Sequence, residues 1–88
     1  MTYRVEFSRA AEREFDHLPQ QARARLAPRI GALATNPRPS GVVKLVGQTH
    51  DLYRIRIGDY RVIYAIKDDV LVVLVVSVGH RSEIYRTM

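Results

Sequence analysis

The chain has 88 residues, no cysteine, and 14 lysine and arginine residues against 9 acidic ones, so its formal net charge is +5. The missing cysteines exclude a disulfide-stabilised fold, a thiolate zinc site and a cysteine nucleophile, and the three histidines are too scattered to predict a metal site. An apolar fraction of 47% is typical of a folded protein, and a chain this short builds one core, so we expect a single domain over residues 1–88.

Positive charge is carried almost wholly by arginine, because only Lys44 and Lys67 are lysines. Guanidinium groups bind phosphate and carboxylate oxygens in pairs, so an excess of arginine indicates an anionic partner. A genome that encodes arginine in preference to lysine gives the same bias. Composition alone leaves both explanations open, and the placement of the arginines has to decide between them.

The first half of the chain predicts one strand and two helices. Residues 2–7 alternate between apolar and polar side chains, as a half-buried strand does. Ser8 is placed to cap a first helix over residues 9–17, and a second helix with an apolar stripe follows over residues 19–33. Pro28 lacks a backbone N–H, so we expect it to bend or loosen the second helix about one turn earlier.

The second half of the chain, after a hinge with two prolines at residues 36–41, predicts strands only. Their predicted bounds are residues 43–46, 52–57, 60–66 and 70–78. Gly58 and Asp59 fit a two-residue hairpin turn between the second and third of these strands. The last apolar run is too short to cross a membrane, and no signal peptide precedes the first strand, so we expect a cytoplasmic protein without a membrane partner.

The element order β-α-α-β-β-β-β predicts an α+β fold. Two helices are too few to cover both faces of such a sheet. We therefore expect both N-terminal helices to pack on one face of a small, mostly antiparallel sheet and the other face to stay partly open.

The hairpin turn also predicts which side chains share a face of the sheet. With a two-residue turn, Arg56 lies opposite Arg61 and Arg54 lies on the same face as both. The helix-facing side is then apolar and holds Tyr53, Ile55, Ile57, Tyr60, Val62, Tyr64 and Ile66. A single strand arginine is usually an ordinary solvated side chain. Like charges directly opposite each other destabilise a strand pair, however, so this cluster indicates a bound anion.

The last strand is expected to return to the same edge of the sheet as the hairpin turn, since it runs antiparallel to the strand before it. It would carry His80 and Arg81 towards the arginines of the open face. If residues 81–85 form a helical turn, Tyr85 lies on the same side as Arg81. Arginine beside a stacking aromatic ring suits single-stranded RNA. The predicted basic cluster is Arg54, Arg56, Arg61, His80 and Arg81.

Four segments of the second half form a distinctive pattern: KL at residues 44–45, LYRIRIGDYRVIY at 52–64, VSVGHR at 76–81 and IY at 84–85. This pattern resembles the RelE family of bacterial and archaeal toxins, within the wider RelE/ParE superfamily, and the likeness extends over residues 3–86. The resemblance implies an mRNA interferase that enters the ribosomal A site and cleaves the bound message. It also implies inactivation by a RelB-like antitoxin, and cleavage through the ribose 2′-OH without a metal or other cofactor.

The resemblance also implies which residues act. Catalysis is assigned to Arg54, Arg56, Arg61, His80, Arg81 and Tyr85. RNA contact is assigned to Lys44, Arg54, Arg56, Arg61 and Arg81. The best-known family members carry lysine where this chain has Arg54, Arg56 and His80. Because a guanidinium is a poor proton carrier, we hypothesise that His80 and Tyr85 carry the acid-base step while Arg61 and Arg81 hold the scissile phosphate.

Two alternatives stay open at this point. One is a ParE-like toxin that binds DNA gyrase and has no nuclease site, since those relatives share the fold. The other is a non-catalytic nucleic-acid-binding module, for which a basic face is sufficient.

Overall fold

The computed structural model describes residues 2–45 and 51–82. Its elements in chain order are β1 (Arg4–Phe7), α1 (Arg9–Asp16), α2 (Gln20–Gly31), a 3₁₀ turn (Ala32–Ala34), β2 (Val43–Leu45), β3 (Leu52–Ile57), β4 (Tyr60–Lys67) and β5 (Val72–His80). The strands of the described residues form one sheet in the order β1-β5-β4-β3-β2. β1 runs parallel to β5, and the other neighbouring pairs in this sheet are antiparallel. The predicted α+β fold is confirmed.

Helix α1 is capped at both ends, and α2 ends in a 3₁₀ turn. The Ser8 side chain caps α1 by accepting a hydrogen bond from the Ala11 N–H at 3.1 Å, as predicted. At the other end of α1, the Nδ1 atom of His17 lies 2.7 Å from the Arg13 carbonyl oxygen. α2 continues through Pro28 without interruption and then tightens into the 3₁₀ turn. Within residues 2–45 and 51–82, no helix is long and apolar enough to cross a membrane.

The hydrophobic core lies between the helices and one face of the sheet. α2 contributes Leu26 and Ile30, and the sheet contributes Val62, Tyr64 and Val75, all at most 2% exposed. Burying each such aliphatic side chain stabilises the fold by about 1.5–3 kcal/mol. The apolar side predicted for β3 and β4 is buried in this core or packed against it, so that part of the register prediction is confirmed.

The start and end of β5 differ from the prediction by two residues. Val70 and Leu71 belong to the preceding turn, where Leu71 has a φ of +55° and its carbonyl oxygen accepts the Arg4 N–H at 2.8 Å. Pairing with β1 therefore begins at Val72. The strand continues to His80, which the sequence had placed beyond its end.

A cluster of hydrogen bonds fastens the hinge to the sheet at the end away from the Gly58-Asp59 turn. The Arg38 guanidinium donates to both carboxylate oxygens of Asp68, at 3.3 and 2.9 Å, and the Tyr3 hydroxyl donates to the same carboxylate. Arg38 also lies over the Tyr53 ring, 5.5 Å from its centroid. Hydrogen bonds from Arg38 and then from Tyr3 hold the pKa of Asp68 below its usual value. We call Tyr3, Arg38, Tyr53 and Asp68 the Arg38 cluster.

Tyr64 holds the same hinge from inside the core. Its ring is fully buried, and its hydroxyl donates to the Pro37 carbonyl oxygen at 2.8 Å. Burial raises the pKa of Tyr64 to about 12. This tyrosine therefore has a structural role, as the register argument predicted.

Candidate functional site

Two arginines face each other beside the β3–β4 turn. Arg56 and Arg61 are directly opposite in the strand register, on the sheet face away from the helices, and Ile57 lies opposite Tyr60. The turn itself requires a φ of +62° at Gly58, which glycine adopts without strain. We call this turn, with Arg56, Arg61 and Arg81, the hairpin edge.

The two arginines differ in exposure. Arg56 is exposed, whereas Arg61 is only 8% exposed and its Nη1 donates to the Tyr60 carbonyl oxygen at 3.4 Å. Arg61 lies on β4, between β3 and β5, so neighbouring strands flank it on both sides. The expectation of an open face is correct at Arg56 and wrong at Arg61.

The end of β5 is tied to the hairpin turn, as predicted. The Arg81 backbone N–H donates to the Asp59 carbonyl oxygen at 2.8 Å, and the Arg81 Nε lies 4.0 Å from a carboxylate oxygen of Asp59. The Arg81 side chain is 64% exposed. Its guanidinium is therefore held at the turn by its backbone and only loosely by a counter-ion.

Arg54 lies two residues before Arg56 and shares its face of β3. It is opposite Ile63 of β4 and Val43 of β2 and is half-buried. The structure thus brings together Arg54, Arg56 and Arg61 on one face, as the register predicted.

His80 lies on the opposite face from these arginines. It is directly opposite Tyr60, and the two rings pack edge to face with centroids 5.7 Å apart at 85°. Since Tyr60 and Arg61 are consecutive, their side chains point to opposite faces of the sheet. The expectation that His80 shares the open side with Arg54, Arg56 and Arg61 is therefore wrong, because β5 continues in register as far as His80.

Ser82 determines the tautomer of the His80 ring. The Ser82 backbone N–H donates to Nδ1 of His80 at 3.2 Å, and the Ser82 hydroxyl lies 2.8 Å from the same nitrogen. A backbone N–H can only donate, so Nδ1 accepts and the proton of the neutral ring is on Nε2.

Lys44, another predicted residue, is not brought to the hairpin edge. Lys44 lies opposite Tyr53, on the helix-facing side, and its Nζ is 3.7 Å from a carboxylate oxygen of Asp51. Tyr85 lies outside the described residues.

Glu14 is a residue that the sequence reasoning missed. Its Oε1 accepts hydrogen bonds from the Ser77 hydroxyl at 3.2 Å and from the Val78 backbone N–H at 3.0 Å. β1 pairs with β5 only as far as Val75, so α1 supplies the acceptor that a neighbouring strand would otherwise supply. The signal was available, because a carboxylate three residues after Ala11 lies on the buried stripe of α1.

Arg25 is the second residue that was missed. Its Nη1 would lie 3.0 Å from a Cβ atom placed on Gly58, so the guanidinium covers the turn from the helix side. No feature of the local sequence predicts this contact, because it depends on where α2 crosses β3. With Arg25, cations lie on both sides of the hairpin edge.

Within the described residues, no group of three or more His, Cys, Asp and Glu side chains is arranged to hold a metal ion. The chemistry available at the hairpin edge is that of fixed positive charge. Guanidinium groups at such a place can hold a phosphate and stabilise charge that develops on its oxygens.

Comparison with known proteins agrees with this fold. Residues 5–85 match the family described as the ParE toxin of type II toxin-antitoxin systems. Toxin RelG of Mycobacterium tuberculosis is 32% identical over 87 residues, which cover 98% of this chain and 99% of the relative. The mRNA interferase toxin RelE of Escherichia coli is 34% identical over 89 residues, with 97% and 92% covered. The crystal structure of the archaeal RelE-RelB complex from Pyrococcus horikoshii has a TM-score of 0.79 at 33% identity, covering 94% of this chain and 99% of that one.

Matches of this extent define the class of protein as a toxin of a type II toxin-antitoxin system. Within that class the chain belongs to the RelE family of the RelE/ParE superfamily, as its sequence motifs indicated.

Proposed function

We propose that this toxin is an mRNA interferase, an endoribonuclease that cuts the message in the ribosomal A site and so inhibits translation. The observation that carries the proposal is the hairpin edge, where Arg56 faces Arg61 and the backbone of Arg81 is bonded to the same turn. The similarity to the Escherichia coli mRNA interferase toxin RelE supports it.

Electrostatics explains why such an edge needs a ligand. Two cations opposite each other across β3 and β4 destabilise the strand pair. Asp59 is only a loose counter-ion at this edge, because its carboxylate oxygen lies 4.0 Å from the Nε atom of Arg81. A phosphate between the guanidinium groups relieves the repulsion and accepts paired hydrogen bonds. An RNA strand supplies one such phosphate at every nucleotide.

The proposed reaction needs no group that the chain and the RNA lack. The ribose 2′-oxygen attacks the adjacent phosphorus, loses its proton to a base, and forms a cyclic phosphate. The bond from phosphorus to the 5′-oxygen breaks, and that oxygen takes a proton to become a hydroxyl. Arg56, Arg61 and Arg81 stabilise the charge on the phosphoryl oxygens, and the scheme uses no metal ion.

Proton transfer in this proposal falls to His80 and Tyr85, because guanidinium groups keep their protons at cellular pH. The ring of His80 accepts at Nδ1 and carries its proton on Nε2. To act as a base it would first have to release Ser82. To act as an acid it would need a second proton on Nδ1, because a neutral imidazole N–H is too weak an acid for the leaving oxygen, and this also requires release of the Ser82 N–H. The proposal therefore has His80 and Tyr85 share the base and acid roles.

The proposed partners are the ribosome with its message and a RelB-like antitoxin. The Pyrococcus horikoshii relative was crystallised with RelB, which supports such a partner for this chain. A chain of net charge +5 attracts an acidic segment, and a segment laid over Arg81 would block the phosphate site.

The test is expression of the chain in a bacterium with mapping of message ends. We expect cuts inside translated codons from the wild type and at least a roughly 100-fold loss of cutting for Arg81→Ala, as for removal of one charge-stabilising donor. Arg4→Ala is the matched control, because Arg4 is exposed and lies at the other end of the sheet. Wild-type cutting by Arg81→Ala would refute the assignment of this residue.

A ParE-like activity against DNA gyrase is the second candidate, since the family description that matches residues 5–85 names ParE. The same experiment separates the candidates. Intact messages with a DNA-damage response indicate gyrase. Intact messages without that response, together with RNA binding by the purified chain, indicate a non-catalytic module.

A further inference from the structure

A groove opens beside the hairpin edge, on the side of the sheet that the helices cover. It has a volume of about 390 Å³, within the range of roughly 300–1,000 Å³ typical of small-molecule sites. We call it the α2 groove. Its lining residues are Pro19, Gln21, Ala22, Arg25 and Tyr60.

Arg25 gives the α2 groove a positive charge. None of the ion pairs formed within the described residues involves Arg25. Arg23, two residues earlier, instead donates to the carbonyl oxygens of Asp16 and Leu18 and so holds the α1–α2 connection. The two arginines of α2 thus differ in their surroundings, and Arg25 has a guanidinium available to an anion.

Tyr60 gives the groove an aromatic wall. Its ring is half-buried and is held edge to face against His80. A ring fixed in this way can stack or pack against a nucleobase without losing further side-chain freedom.

The groove is continuous with the hairpin edge. Arg25 covers Gly58 from the helix side, and Tyr60 immediately precedes Arg61, which faces the other side. Arg81 is bonded to the same turn through Asp59. An RNA strand that crosses the turn therefore passes Arg25 on the helix side and then Arg61 and Arg81.

We propose that the α2 groove is a second nucleotide subsite, in which Arg25 binds the phosphate next to the one held by Arg61 and Arg81 and Tyr60 contacts the base. This inference rests on the proposed function, and it adds a recognition site that the cleavage chemistry does not itself require.

The test measures binding of short single-stranded 2′-O-methyl RNA, which cannot be cleaved through its 2′-oxygen, to the full chain over a range of salt concentrations. For wild type, we expect affinity to rise as the RNA is lengthened beyond the nucleotide held by Arg61 and Arg81. For Arg25→Gln, we expect that increment to vanish, an affinity about tenfold lower at low salt, and a slope of log K against log salt reduced in magnitude by about 0.7, as for one lost phosphate contact.

Arg29→Gln is the matched control. It removes the same charge from α2, one turn further along, at a residue that does not line the groove. Equal slopes for Arg25→Gln and Arg29→Gln would overturn the subsite. The proposed cleavage would still stand in that case, provided that Arg81→Ala abolishes cutting of the message. A reduced slope for Arg25→Gln, with no effect of Arg81→Ala on cutting, would support RNA binding in the groove and refute the proposed catalytic site. No RNA binding by the wild type would overturn the subsite.

Discussion

The two ends of the β3-β4-β5 sheet differ in how their arginines are paired. Each end has an aspartate in its turn. In the Arg38 cluster, Asp68 accepts two hydrogen bonds from one arginine and a third from Tyr3. At the hairpin edge, a carboxylate oxygen of Asp59 lies 4.0 Å from the Nε atom of Arg81, beyond hydrogen-bond distance, and Arg56 faces Arg61.

The difference separates an arginine that holds the fold together from the arginines that we propose bind phosphate, within one small domain. A guanidinium that holds a fold is bonded to a carboxylate and packed on an aromatic ring, as Arg38 is. Arginines at the hairpin edge are held near one another by strand register, which costs stability unless an anion is bound. The backbone that positions them is nevertheless anchored, by Glu14 on β5 and by Asp59 on Arg81.

Arg56→Glu should have the largest effect, because it gives Arg61 an acidic partner on the opposite strand of the hairpin edge. A carboxylate opposite Arg61 replaces repulsion with attraction, so the free energy of unfolding should rise by a few tenths to about 1 kcal/mol. Cleavage of message should fall at least about 100-fold, since the phosphate is now repelled. Urea denaturation and mapping of message ends measure the two effects.

Arg56→Gln separates the two causes in that experiment. It removes the repulsion without adding an ion pair, so we expect a smaller gain in stability and a smaller loss of cleavage than with Arg56→Glu. Undiminished cleavage by the glutamate variant would contradict any contact of Arg56 and Arg61 with phosphate.

Glu14→Ala should have the next largest effect, on stability. The Ser77 hydroxyl and the Val78 N–H would lose their acceptor, which costs about 1–3 kcal/mol for groups that are largely buried. Glu14→Gln keeps an oxygen acceptor and should lose less than half as much. Denaturant unfolding of both variants checks this, and equal losses would show that the charge of Glu14 matters more than its hydrogen bonds.

The hairpin edge shows what the sequence could predict. A two-residue turn and strict alternation fix the register, so Arg56 opposite Arg61 followed from the sequence with no knowledge of the packing. The helix cap at Ser8 followed in the same way, because the contact spans three residues.

His80, Arg25 and Glu14 show where that reasoning stops. The face of His80 depends on how far β5 remains paired, and an apolar run does not mark its last paired residue. The contact of Arg25 with Gly58 joins residues 33 positions apart and depends on the crossing of α2 over the sheet. Local patterns carry no information on such crossings. The burial of Arg61 was missed for a different reason, because it comes from the position of β4 between β3 and β5.

Arg38→Ala tests the other end of the comparison and should have a smaller effect on stability. Its ion pair with Asp68 is roughly half exposed, with side-chain exposures of 45% and 54%, so we expect the Tm to fall by about 2–5 °C. Cleavage should be unchanged, because Arg38 is at the far end of the sheet. Arg4→Ala, which breaks the more exposed pair with Glu6, should lower the Tm by less. A loss of cleavage in Arg38→Ala without loss of fold would show that the two ends are not independent.

The smallest effect should be a pH dependence that comes from Asp68. Arg38 and Tyr3 lower the pKa of Asp68 in the folded state, so the unfolded chain takes up the proton first as the pH falls. The stabilisation is complete above about pH 4, near the ordinary value for aspartate, and is lost as the pH falls towards the lower pKa of the folded state. Asp68→Asn should therefore be less stable than wild type at pH 7, with a flatter decline in the urea midpoint between pH 5 and pH 2, so that the two curves converge in acid. Asp69→Asn removes a carboxylate from the same turn and should keep the wild-type decline, whereas an unchanged decline in Asp68→Asn would show that the Arg38 cluster does not couple protonation to folding.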